Sequence, residues 1–137
     1  MYLLDSCAIS DFMKGDKNTS EKLKSILPSE IYTSTITQME IQYGLIRRFD
    51  HSHRYFGILE DFLSAITVLP FDRSAASHSA KIRKTLDSQG TPIGAYDVLI
   101  AGIAMSANLT LVTSNEREFL RVDGLEIENW RTKKCRT

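Results

Sequence analysis

Short apolar runs alternate along this chain with longer amphipathic ones, and that alternation limits the fold more than any other feature. The runs Tyr2–Asp5, Glu30–Ser34, Ile66–Leu69, Leu109–Thr113 and the weaker Leu125–Glu128 have the length and bulky apolar content of strands. Between them, Ala8–Lys14, Thr19–Leu27, Ile36–Phe49, His53–Ser64, Ser74–Ser88, Ala95–Ala107 and Glu116–Arg121 carry helical spacing. Start signals support several helices: Asn18 with Glu21 and Thr35 with Gln38 read as capping boxes, and Asp72 stands ready to cap after Pro70. Strands separated by helices need crossover connections, so the sheet is expected to be mainly parallel with helices on both faces. The prediction is a single three-layer α/β/α domain over residues 1–131, followed by a basic tail at 132–137.

A chain of 137 residues can bury a real core, and 42% hydrophobic with 25% charged residues is ordinary for a globular protein. The longest apolar run, Val98 to Met105, is too short to span a membrane, and no basic leader precedes an apolar segment, so a cytoplasmic location without membrane attachment is expected. Cys7 and Cys135 show no metal-ligand spacing and read as free thiols. Net charge is zero, but the last seven residues hold Arg131, Lys133, Lys134 and Arg136 without an acid, which leaves the remainder net acidic by four. Further basic groups stand at Arg47-Arg48, Lys81-Arg83-Lys84, and Arg117 with Arg121. Such patches serve nucleic-acid binding locally whatever the total charge, although a solvated helix face explains each one alone.

Four acids occupy odd places in this pattern. Asp5 closes the first apolar strand, where an Asx-type turn opening the next helix is the plain explanation. Glu40 lies on the stripe Ile36, Met39, Tyr43, Ile46 of its helix, the stripe expected to be buried, where an unpaired carboxylate would cost several kcal/mol. Asp97 stands in the first turn of a helix that is apolar on every side; a capping role there competes with a functional one. Glu118 follows the strand Leu109–Thr113, with Thr113 and Asn115 between them, while a capping box Thr113-x-x-Glu116 accounts for Glu116. In open parallel sheets, ligands bind beyond the carboxyl ends of the strands, and that edge can hold all four acids. Carboxylates gathered there repel one another unless a hard divalent cation neutralises them, and the chemistry that follows is phosphodiester hydrolysis.

Other chemistries find little support. His51, His53 and His78 lack zinc spacing, no glycine-rich phosphate loop is present, and no strand–turn–helix elbow presents a nucleophilic serine.

The runs Tyr2-Leu3-Leu4-Asp5-Ser6-Cys7, Thr37-Gln38-Met39-Glu40-Ile41-Gln42-Tyr43-Gly44, Gly90-Thr91-Pro92-Ile93-Gly94-Ala95-Tyr96-Asp97, and Leu111-Val112-Thr113-Ser114-Asn115-Glu116-Arg117-Glu118-Phe119 with Asn129-Trp130 resemble those of PIN-domain nucleases, specifically the VapC toxins of bacterial toxin–antitoxin pairs. The resemblance covers nearly the whole chain. It implies a Mg²⁺-dependent endoribonuclease, with Mn²⁺ as a possible substitute, similar to the enterobacterial type that cuts the anticodon stem-loop of initiator tRNA. Asp5 and Asp97 are then the metal ligands, with Glu40 nearby, Glu118 or Asn115 completing the catalytic set, and Ser6 and Thr113 in support. Arg47, Arg48, Arg117 and Arg121 would contact RNA. The resemblance also implies a VapB-type antitoxin whose carboxyl-terminal segment occupies the catalytic groove, and a homodimer. One departure stands out: Cys7 replaces the asparagine usual at that position. A PIN-like nuclease acting on other RNA or on DNA, or a catalytically silent binding module, are the alternatives.

Overall fold

The computed structural model describes residues 1–133. Five short strands, β1 (Tyr2–Leu4), β2 (Ile31–Ser34), β3 (Thr67–Leu69), β4 (Thr110–Val112) and β5 (Ile127–Glu128), form one sheet in the order β3-β2-β1-β4-β5, and every pairing is parallel. The helices are α1 (Ser6–Met13), α2 (Lys17–Lys24), α3 (Thr35–Arg48), α4 (Arg54–Ala65), α5 (Arg73–Gln89), α6 (Ala95–Ala107) and the short α7 (Glu116–Phe119). The α/β class and the parallel sheet are those expected from the alternation.

Strand periodicity builds the layers. Leu3 and Leu111 point to one face, where they are buried with Leu86, Ile100 and Phe119 from α5, α6 and α7. Their neighbours Leu4 and Val112 point to the other, against Ile9, Ile41, Leu45 and Leu59 of α1, α3 and α4, with Trp130 closing that side. Both sheet faces are therefore covered, as a parallel sheet requires.

Helix ends follow competing short polar residues. Asp72 caps α5 through Ala75 N–H (2.9 Å), as expected, and Gly90 ends that helix in the left-handed region at φ +69°. Two other caps differ from expectation. Asp16, rather than Asn18, caps α2 through Thr19 N–H, and Ser34, rather than Thr35, caps α3 through Thr37 N–H. In each case the acceptor sits one or two residues upstream, at the residue that is extended or non-helical. The helix pair α5–α6 packs closely because Gly102 has no side chain: a Cβ there would collide with the Ser79 side chain and come within 2.8 Å of the Ala75 carbonyl oxygen.

The chain steps outward from β1 through β2 to β3, then returns to place β4 on the other side of β1. The order reverses between β1 and β4, so the crevice beyond their carboxyl ends is the topological switch point.

Candidate active site

Asp5 follows β1 and Thr113 follows β4, so both stand at that crevice. Asp5 is 4% exposed; its Oδ1 accepts a hydrogen bond from Ala8 N–H (2.9 Å) and caps α1, so the structural role foreseen for it is real. Burial pushes its carboxyl up to about 6, against hydrogen bonds from the Thr113 hydroxyl and the Ala8 and Cys7 backbones that favour the ionised form.

Glu40 arrives from α3, and here the structure corrects the sequence argument. Met39, Tyr43 and Ile46 are 39%, 60% and 60% exposed, whereas Thr37, Ile41 and Leu45 are buried. Of the stripe expected to be buried, Ile36 packs against the core but Met39, Tyr43 and Ile46 face solvent. Glu40 stands between that stripe and the buried face. Its Oε1 is buried and is, among the described residues, the sole buried side-chain oxygen or nitrogen without a hydrogen-bond partner. Burial, then the Asp5 charge, raises its carboxyl above the ordinary value.

Asp97 lies in the first turn of α6, whose N-cap Gly94 makes no side-chain hydrogen bond. A Cβ on Gly94 would stand 3.1 Å from Asp97 Oδ2, so the carboxylate lies over that glycine. Despite the favourable helix dipole, Asp97 is pushed up to about 8, by burial first, then by its hydrogen bond to Glu118 and by the charges of Glu118, Glu40 and Asp5. Glu118 moves the other way: the Asp97 hydrogen bond holds it ionised and outweighs its small burial, helped by Asn115 Nδ2 at 2.7 Å and Gly94 N–H at 3.3 Å. Without a cation, the pair holds one proton between them.

The remaining candidates distribute as follows. Asn115 orients Glu118 through its side chain, while its own N–H donates to Thr113 Oγ1 at 2.9 Å. That hydroxyl is therefore occupied away from Glu116, and α7 has no side-chain cap, so the expected capping box does not form. Ser6, Glu40, Arg47 and Arg48 line a cavity of about 410 Å³ between α1, α3 and α4, together with Lys14 and Phe49. Arg117 is exposed, and Arg121 Nη1 donates to the Pro92 carbonyl at 2.7 Å. Lys134 and Arg136 of the basic tail, and Cys135, lie outside the described residues. Cys7 is a free, half-buried thiol whose pKa is raised by burial and by Asp5.

The sequence reading missed two contributors. Gly94 supplies the backbone N–H that fixes Glu118, and its place directly before a helix is a recognised signal. The buried hydroxyls of Thr33, Ser34 and Thr37 form a polar seat under the start of α3, with Thr33 donating to the Leu4 carbonyl at 2.7 Å. A run of Ser and Thr is a weak signal because these residues are equally common in turns.

Among the described residues, no three His, Cys, Asp or Glu side chains converge into a ready-made metal cage. The chemistry of the site nonetheless fits a hard cation. It offers mainly carboxylate and hydroxyl oxygens, two carboxyls held above their ordinary range first by burial, and an orphaned buried oxygen on Glu40. Mg²⁺ keeps several of its waters and needs only one or two carboxylates. No helix among the described residues is long and apolar enough to cross a membrane.

A PIN domain model matches residues 2–125. The tRNA(fMet)-specific endonuclease VapC of Salmonella typhimurium is 40% identical over 117 residues, covering 83% of this chain and 88% of that protein. The protein of the same description from Shigella flexneri is 44% identical over 97 residues, 71% of this chain and 73% of its own length. Among solved structures, VapBC2 of Rickettsia felis bound to a DNA fragment from its promoter superposes with a TM-score of 0.86 at 30% identity, covering 94% of this chain and 98% of that chain. DNA-bound VapBC of Salmonella typhimurium gives 0.85 at 36% identity, covering 94% and 97%.

Proposed function

The chain belongs to the PIN-domain family, among the VapC ribonuclease toxins of toxin–antitoxin pairs, and from that premise we propose that it cuts initiator tRNA in the anticodon stem-loop with Mg²⁺ bound between Asp5 and Asp97. The observation that carries this reading is the surplus of carboxylate at the switch point, above all the partnerless Glu40 oxygen. When bound, the cation supplies an acidified water and charge stabilisation on the phosphoryl oxygens. Asp5 and Asp97 would hold it, and the carboxyl of Asp97, raised by burial and by Glu118, would have to be ionised to do so. Glu40 offers a free acceptor to a water at the site, and Glu118, tied to Asn115 and Gly94, steadies the turn that launches α6. Mn²⁺ has the same preference for oxygen ligands and would substitute.

A VapB-type antitoxin is the partner, acting with the toxin in the cytoplasm. Its carboxyl-terminal segment fits the cavity beside Glu40, where Lys14, Arg47 and Arg48 surround an apolar floor. The solvent-facing Met39, Tyr43 and Ile46 form an apolar stripe suited to a second copy of the chain, in keeping with a homodimer.

The test is incubation of the purified chain, free of antitoxin, with total tRNA in Mg²⁺, in EDTA, and as the Asp97→Ala variant. Discrete fragments that need Mg²⁺, vanish in the variant and map to the anticodon stem-loop of initiator tRNA are expected. Fragments of another RNA would keep the chemistry and reject the substrate; no cleavage by a folded, metal-binding protein would reject ribonuclease action on tRNA.

A further inference from the structure

On the side of the sheet away from the cavity beside Glu40, α5 and the segment after α7 enclose a second hollow of about 200 Å³. Its floor is apolar, with Ile82, Met105 and Val122, and Gly124, at φ +81°, sits close enough that a Cβ would lie 3.4 Å from Met105 Cε. Its rim carries the two cations Lys81 and Arg121. His78 and Lys81 stand at i and i+3 on α5 and Arg121 faces them from beyond α7, with Asp123 the only acid lining the hollow among the described residues. The ion pairs formed among the described residues are Arg83–Asp87 and Arg131–Asp11, so Lys81 and Arg121 are committed to neither. Arg121 spends one donor on the Pro92 carbonyl and keeps the rest of its guanidinium available.

Position gives the hollow its meaning. Arg121 is one helical turn from Glu118, and its hydrogen bond ties it to the turn that precedes Asp97. Arg121 therefore joins the carboxylate side of the molecule to the hollow that Lys81 also lines. We infer that this α5–α7 seam is an accessory RNA site, in which Lys81, His78 and Arg121 take backbone phosphates and the Ile82–Met105–Val122 floor receives the face of an unstacked base. Single-stranded RNA is commonly held by a cationic track beside a platform for splayed bases; here the Arg121 guanidinium and the apolar floor stand where aromatic side chains usually do. The carboxylate centre repels a polyanion in the absence of metal, so affinity for RNA has to come from outside it, and the seam supplies cations, of which Arg121 lies one turn from Glu118. The inference rests on the ribonuclease reading above and adds where the substrate is held.

The experiment measures binding of unfractionated bacterial tRNA in EDTA by the full chain carrying Asp97→Asn, alone and with Lys81→Glu, His78→Ala plus Lys81→Ala, or Lys22→Glu as a control on exposed α2. Lys81 is exposed, so thermal unfolding midpoints are expected to match and any weakening reads the surface. Lys81→Glu should weaken binding about tenfold and flatten the slope of log affinity against log salt by about one for each phosphate no longer held. The double alanine variant should fall between, and Lys22→Glu should bind as the parent does. With Asp97 unsubstituted, Lys81→Glu should raise KM for tRNA cleavage far more than it lowers kcat. Equal affinity and equal salt slope for the seam variants and the parent would overturn the site while leaving the nuclease intact. An Asp97→Asn parent that does not bind tRNA, together with an unsubstituted chain that does not cut it in Mg²⁺, would remove the ribonuclease reading and the seam together.

Discussion

Two groups of acidic residues in this molecule do opposite work. Near the ends of α1 and the start of α2, Asp11 and Asp16 are fully engaged. Asp11 takes a two-pronged hydrogen bond from Arg131 at 2.9 and 3.0 Å, and Asp16 accepts from the Thr19 backbone and hydroxyl and from Thr132 N–H. Burial works against ionisation of Asp16, and those hydrogen bonds together outweigh it. This group staples the strand-β5 exit onto α1 and α2. At the switch point, by contrast, Asp5, Glu40 and Asp97 carry carboxyls raised first by burial, with the Asp5 charge adding to Glu40 and Asp97, and one Glu40 oxygen has no partner. The donors around Asp16 outweigh its burial, whereas those around Asp5 do not and Glu40 Oε1 has none.

The largest effect expected from breaking this contrast is at Asp97. Asp97→Asn should lower cleavage by at least about a thousandfold, the scale of losing a principal charge-stabilising group. Yet the variant should be the more stable protein in metal-free buffer at pH 8.5, by about 1 kcal/mol after allowance for solvent screening at this half-exposed group, because the amide removes a charge and can still donate to Glu118. Parallel activity assays and thermal unfolding at pH 8.5 and pH 5 check this, and the gain should be clearly smaller at pH 5, disappearing only below about pH 4, where Asp97 is protonated in the folded and unfolded chain alike. Asp16→Ala should do the reverse: lose about 1–2 kcal/mol of stability through the vacated cap, with cleavage retained by the folded fraction.

The pH dependence follows from the raised carboxyls. Asp5 at about 6 and Asp97 at about 8 both exceed their ordinary value of 3.8, so the folded chain binds more protons than the unfolded one across that window. Their contribution to stability is fully present below about pH 4 and is lost as pH rises through about 6 and then about 8. Urea unfolding of metal-free protein between pH 5 and 8.5 should show that decline, and added Mg²⁺ should flatten it by favouring the ionised folded form. The smallest effect belongs to Arg131→Ala, expected to cost no more than about 1 kcal/mol because the Asp11 pair is partly exposed.

How far these two groups were legible in the sequence differs in the same way. Asp5 and Asp97 could be referred to one edge because each adjoins an element whose type and direction the alternation of apolar runs determines. Glu40 reached the same edge by a faulty step. Spacing identifies Ile36, Met39, Tyr43 and Ile46 as one face of α3, but which face meets the sheet depends on packing against α1 and α4, and the buried face proved to be Thr37, Ile41 and Leu45. The Asp11–Arg131 and Asp16–Thr132 fastenings escaped notice because they join residues 120 and 116 positions apart, and no local pattern reports such pairings. Helix starts were misplaced by a residue or two wherever Ser, Thr, Asp and Asn stand together, since each is a competent cap and only the backbone conformation chooses among them.

The contrast between the two groups is tested most directly by calorimetric titration of Mn²⁺ into the metal-free chain and its Asp97→Asn variant at pH 7, in two buffers of different ionisation enthalpy. Binding to the unsubstituted chain with release of about one proton, and loss of both in the variant, is the expected result, because the proton held between Asp97 and Glu118 must give way to the cation. A folded chain that takes up no Mn²⁺, or that binds it equally well in both forms without releasing a proton, would contradict the assignment of these carboxylates as a cation site.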